Sequence, residues 1–125
     1  INFGTVAVQS TTAGTVILSV GGVRTQTGGV TLPAVTGTVT AASFDIAGEP
    51  NYTYAITLPS APLTISSSSN NMTVTTFVSN PAVTGQLTAG GTQTLTVGAT
   101  LNVAAAQPSG VYVNPAGFNV TVNYN

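Results

Sequence analysis

Strict two-residue alternation at the end of the chain constrains it most. Phe118, Val120, Val122 and Tyr124 point to one side of an extended strand, and Asn119, Thr121 and Asn123 point to the other. A strand this apolar on one face belongs in a core. Only Asn125 follows it, so the expectation is an open edge or groove, a template for a strand from another chain. The pattern reads as a subunit that polymerises before it reads as an enzyme.

The same alternation recurs upstream. Tyr52, Tyr54, Ile56 and Leu58 alternate with Thr53, Ala55 and Thr57, and Leu95, Val97, Ala99, Leu101 and Val103 alternate with Thr94, Thr96, Gly98, Thr100 and Asn102. Each such segment buries one face and exposes the other. Further strands are expected over 1–8, 15–20, 23–27, 37–47, 72–78 and at Leu63 and Ile65, with 66–71 as a polar loop. Gly21-Gly22 suits a hairpin turn, and Gly48-Glu49-Pro50-Asn51 is turn chemistry. No apolar spacing of the helical kind is sustained, and Ala104-Ala105-Ala106-Gln107 is cut off by Pro108. About eight or nine strands with frequent turns predict one all-β antiparallel domain over 1–125, a sandwich or barrel. No fixed internal period supports a solenoid.

Composition narrows the function classes. Charged residues make up 2% of the chain, against about 25% in ordinary soluble domains. With 42% hydrophobic residues and a net charge of -1 the chain is expected to fold. Its surface must be built from Thr, Ser, Asn, Gln and Gly, and so little charge favours association between copies. One basic residue, Arg24, makes no nucleic-acid surface. Apolar runs such as Val16-Ile17-Leu18 are too short to span a membrane. The chain opens on Ile1 instead of Met, so an upstream segment is expected to have been removed.

Chemistry has little to work with. There is no His, Cys or Lys, which removes the usual bases and nucleophiles. Asp45 and Glu49 are the only carboxylate side chains. A retaining glycosidase pair needs two carboxyls about 5 Å apart in a cleft, whereas these read as a strand-end residue and a turn residue. No metal or cofactor is expected, since zinc wants Cys or His and calcium wants several carboxylates. The glycine pairs Gly21-Gly22, Gly28-Gly29 and Gly90-Gly91 precede neither a helix start nor a Lys, and read as tight turns, not phosphate loops. Arg24 reads as a surface residue of a hairpin. Tyr52, Tyr54, Tyr112 and Tyr124 could stack on sugars, but Tyr52 and Tyr54 share a face with Ile56 and Leu58 and read as core. Asn51-Tyr52-Thr53, Asn71-Met72-Thr73 and Asn119-Val120-Thr121 match the glycosylation pattern, which chance supplies in so Thr- and Asn-rich a chain.

Three segments together carry a resemblance. Ile1-Asn2-Phe3-Gly4-Thr5-Val6 resembles the Phe-Gly-Thr strand near the start of archaic chaperone–usher pilins and of the spore-coat-protein-U domain. Residues 43–58, with Gly48-Glu49-Pro50-Asn51-Tyr52 at the turn, resemble a hairpin of those domains. Gln107, Gly110 and Tyr112, followed by Val120-Thr121-Val122-Asn123-Tyr124, resemble their ending. Over most of its length the chain is also similar to a secreted bacterial pilin-like domain family of unknown function. The resemblance implies an incomplete immunoglobulin-like antiparallel β-sandwich, completed by a donor strand from a neighbouring subunit. It also implies a periplasmic chaperone and an outer-membrane usher as partners. Carried over, the acceptor groove is lined by Phe118, Val120, Val122 and Tyr124. The disulfide of those pilins is absent, as is a long alternating extension before the first strand. Either the chain is trimmed, or residues 1–8 are themselves the donor, with Ile1, Phe3, Val6 and Val8 as plug residues; otherwise 1–8 form the first strand.

The resulting expectation is a non-enzymatic, homopolymeric subunit of an extracellular bacterial filament, exported through the periplasm and serving adhesion or biofilm formation. A carbohydrate-binding sandwich module, or a surface-layer or capsid-type protein with a closed fold, are the alternatives.

Overall fold

The computed structural model describes residues 1–33, 39–114 and 117–124. Among the described residues there is no helix, so none is long and apolar enough to cross a membrane. The strands in chain order are β1 (Asn2–Phe3), β2 (Ala7–Val8), β3 (Gly14–Leu18), β4 (Arg24–Gly28), β5 (Val30–Thr31), β6 (Val39–Thr40), β7 (Ala42–Ala47), β8 (Thr53–Thr57), β9 (Leu63–Ser67), β10 (Asn70–Asn80), β11 (Thr84–Gln86), β12 (Thr92–Val103) and β13 (Thr121–Tyr124). All their pairings are antiparallel.

The largest sheet has six strands, in the order β4-β3-β12-β10-β9 with β7 also on β12. β12 is its spine because its alternation is unbroken. Leu95, Val97, Ala99, Leu101 and Val103 all turn inward and are at most 4% exposed. The hydroxyls and amides of the opposite face bond one another across strands. The Thr15 and Thr27 hydroxyls are paired, and the Asn102 amide donates to the Thr75 hydroxyl at 3.0 Å. One edge of β12 carries β7 along its first half, to Val97↔Ala42, and β3 along its second, from Ala99↔Leu18. The other edge carries β10, which bulges between Thr75 and Val78.

Three smaller pieces cover the inner face of this sheet. The three-stranded sheet β11-β8-β13 packs over the first half of β12, where Tyr54, Ile56 and Leu87 meet Leu95 and Val97 in one core cluster. The two-stranded ladders β1-β6 and β2-β5 bring Phe3 and Val30 over the second half, against Val16, Leu18, Val74, Leu101 and Val103. The described structure is therefore all-β with antiparallel sheets in packed layers.

Several segments depart from the sequence expectation. Residues 1–8 are not one strand, because Gly4 takes φ +74° and breaks β1 from β2. The region 66–71 is a hairpin instead of a loop: Ser68 at φ 55° helps turn the chain so that Ser67 pairs with Asn70 and Ser66 with Asn71. Polar residues extend both strands here because the ladder needs only their backbone. The last strand is shorter than its alternation, covering 121–124. The expected strand over 37–47 begins at residues outside those described and resolves into β6 and β7. Strand β11 was not expected at all.

Candidate functional site

An open, mainly apolar groove of about 1130 Å³ crosses the inner face of the six-stranded sheet. Its floor is made by Leu63 and Ile65 of β9, Met72, Val74 and Phe77 of β10, and Leu101 and Val103 of β12. Leu63, Ile65, Met72 and Phe77 are only partly buried. Alternation explains most of the floor: every second residue of β9 and β12 faces inward, as do Met72 and Val74 of β10, and the bulge between Thr75 and Val78 shifts the inward phase to Phe77. The surrounding layers explain why the floor stays open. Residues 1–8 and 41–44 form one wall, and 107–114 with Gly117 and Phe118 form the other. Neither layer roofs the space between them.

Polar side chains pin each wall. On one side the Arg24 guanidinium donates through Nη1 to the carbonyl oxygens of Phe3 and Thr5. On the other, Gln107 Nε2 donates to the Tyr112 hydroxyl at 2.9 Å and to the Asn71 carbonyl at 3.1 Å, and the Tyr112 hydroxyl donates to the Pro108 carbonyl at 2.6 Å. A two-way backbone bridge joins Ser66 to Val113, and the Asn114 amide donates to the Thr64 carbonyl at 2.9 Å. The Gln107 and Tyr112 pattern seen in the sequence is thus the brace of one groove wall.

The residues singled out for the acceptor role are divided. Phe118 lines the groove, with its ring 5.0 Å from that of Phe77 and 6.3 Å from that of Phe44. Val120 and Val122 lean against the second core cluster, with Val122 opposite Ile56. Tyr124 is 57% exposed, and its ring meets Tyr52 edge-on at 5.8 Å. Its hydroxyl accepts from the Glu49 N–H at 3.2 Å. β13 pairs with β8 on one side, and among the described residues no strand pairs with its other edge. Of the residues considered as plugs, Phe3 is buried in the first cluster of its own chain, Val6 packs against that cluster, and Ile1 and Val8 are exposed. All four line the groove.

Sequence reading missed the floor. Leu63, Ile65, Met72 and Phe77 each look like ordinary core residues, and only the topology reveals that among the described residues no strand covers them. Tyr52 also departs from expectation. It precedes β8, in a turn where Asn51 has φ 64°, and is 55% exposed, whereas Tyr54 is sealed. The carboxylates are apart in role: exposed Asp45 accepts from the Thr94 hydroxyl at 3.3 Å, and Glu49 sits in the exposed turn. Among the described residues no group of three or more acidic, His or Cys side chains could hold a metal.

These features define an all-β protein with an open apolar trough across its larger sheet. The chain belongs to the family described as a domain of unknown function (DUF4402), whose model matches residues 1–124. No curated protein and no solved structure matches it.

Proposed function

We propose that this protein is a non-enzymatic structural subunit of an extracellular bacterial filament, with copies joined by an extended strand that one subunit inserts into the groove of the next. On this reading the layers are an immunoglobulin-like sandwich lacking one strand. A periplasmic chaperone and an outer-membrane usher would handle the incomplete subunit before and during export, and the fibre would serve adhesion or biofilm formation. The observation that carries the reading is the groove itself, an apolar floor left open between two pinned walls. An inserted strand would hydrogen-bond through its main chain and send alternate side chains to the floor. Each apolar side chain fully buried there contributes about 1.5–3 kcal/mol, offset in part by the cost of ordering the segment.

The floor supplies the test. Ile65→Asp and Met72→Asp each place a charge where the inserted side chains would lie, and burying it unpaired is costly. Both variants are expected to remain folded as dilute monomers, by circular dichroism, and to form no fibres under negative-stain electron microscopy. The wild type should form thin unbranched filaments that withstand more denaturant than its own refolded monomer. Filaments of normal length and yield from both variants would remove the groove from the assembly mechanism.

A further inference from the structure

The chain contains one basic residue, and the fold uses it on its own backbone. Arg24 opens β4, opposite Leu18, and is half-buried. Its Nη1 donates to the Phe3 carbonyl at 2.9 Å and to the Thr5 carbonyl at 2.5 Å, and Nη2 is enclosed without a partner among the described residues. The two accepting carbonyls flank Gly4, where the N-terminal segment breaks at φ +74°. That segment is otherwise held by the packing of Phe3 and Val6 on the first core cluster and by two short ladders. Asn2 and Phe3 pair with Thr40 and Val39, and Ala7 and Val8 pair with Thr31 and Val30. Residues 4–6, between the ladders, have no strand partner among the described residues. Both bonds leave one nitrogen, Nη1, whose two N–H groups are held in fixed directions by the planar guanidinium, whereas a lysine ammonium is a flexible point charge, and bonds from a charged donor are stronger than neutral ones.

We propose that Arg24 is a positioning residue that clamps residues 1–8 in place as a fixed wall of the groove. The acceptor is then preformed in the empty subunit, and the N-terminal segment is withheld from exchange between copies. Released, the segment would be an arm held by two short ladders, the kind of element that swaps between protomers. The consequence for assembly rests on the filament reading; the clamp itself does not.

The experiment compares wild type, Arg24→Met and Arg24→Lys. Amide hydrogen exchange on the monomer reads the clamp directly. In Arg24→Met the amides of residues 2–8 should exchange at least about tenfold faster, while those of β10 and β12 stay as protected as in wild type. Arg24→Lys should fall between. Unchanged exchange over 2–8 in Arg24→Met overturns the clamp. Filament yield under electron microscopy reads the wall. It should drop in Arg24→Met and recover in part in Arg24→Lys. Domain-swapped dimers of Arg24→Met by light scattering would support the clamp, as exchange of the released segment, whereas faster filament assembly would overturn the wall and make residues 1–8 the donor. If the wild type never assembles, the filament reading fails, and the exchange rates decide the clamp alone.

Discussion

Tyr54 is the largest side chain sealed in the interior, 1% exposed between β12 and its covering sheet. Its hydroxyl donates to Gln93 Oε1, which is how a phenol is accommodated in an apolar layer. Burial raises its pKa above the ordinary 10.0, because the phenolate would lose its hydration. Ionisation would also remove the donated proton. The sign follows from linkage: a folded pKa above the unfolded one gives stability that is complete below the unfolded value and lost as pH rises through the folded value. Tyr54→Phe should therefore cost about 1 kcal/mol at pH 7, by loss of one hydrogen bond. Above about pH 10 the gap between wild type and Tyr54→Phe should close or reverse, as wild type loses stability. Urea midpoints of the two proteins at pH 7, 9 and 11 check this. A gap that stays constant to pH 11 would mean that Tyr54 is not the group responsible.

At the scale of elements, β12 organises the molecule through a change of partner. Val97 is the last residue on β7 and Ala99 the first on β3, so Gly98 stands at the crossing. A Cβ there would lie 2.2 Å from the Leu18 carbonyl oxygen and 2.8 Å from the Ser19 carbonyl carbon. Both are backbone atoms that cannot swing aside. Gly98→Ala should destabilise the fold by about 2 kcal/mol or more, as overpacking does, and urea melts should show it as a shifted midpoint. Wild-type stability would mean that β3 has room to slide along the spine. β12 was legible in the sequence because every second residue is apolar, and so were β8 and the β3–β4 hairpin with its glycine turn. β11 was not, since Thr84-Gly85-Gln86 has no apolar face and exists as a strand only through pairing with β8. The floor of the groove escaped for a related reason. A local pattern says which residues face inward, but not whether a second layer arrives to cover them.

For the whole molecule, the scarcity of charge sets how copies can meet. Arg24 is engaged with backbone carbonyls, which leaves Asp45 and Glu49 as the exposed charged side chains. The outer face of the main sheet is a field of hydroxyls and amides that bond one another across strands. Such a surface offers neither steering nor repulsion over distance, so association should depend on burial in the groove. Screening length falls from about 10 Å at 0.1 M salt to about 3 Å at 1 M, which matters only where charges act between copies. On the filament reading, the elongation rate followed by light scattering should change by less than about twofold between roughly 0.05 and 0.5 M sodium chloride. Sodium sulfate, which strengthens apolar burial through its exclusion from protein surface, should speed it. A steep slowing in sodium chloride would show that Asp45 or Glu49 takes part in the contact between subunits, and the joint would have to be sought at their faces instead of in the groove.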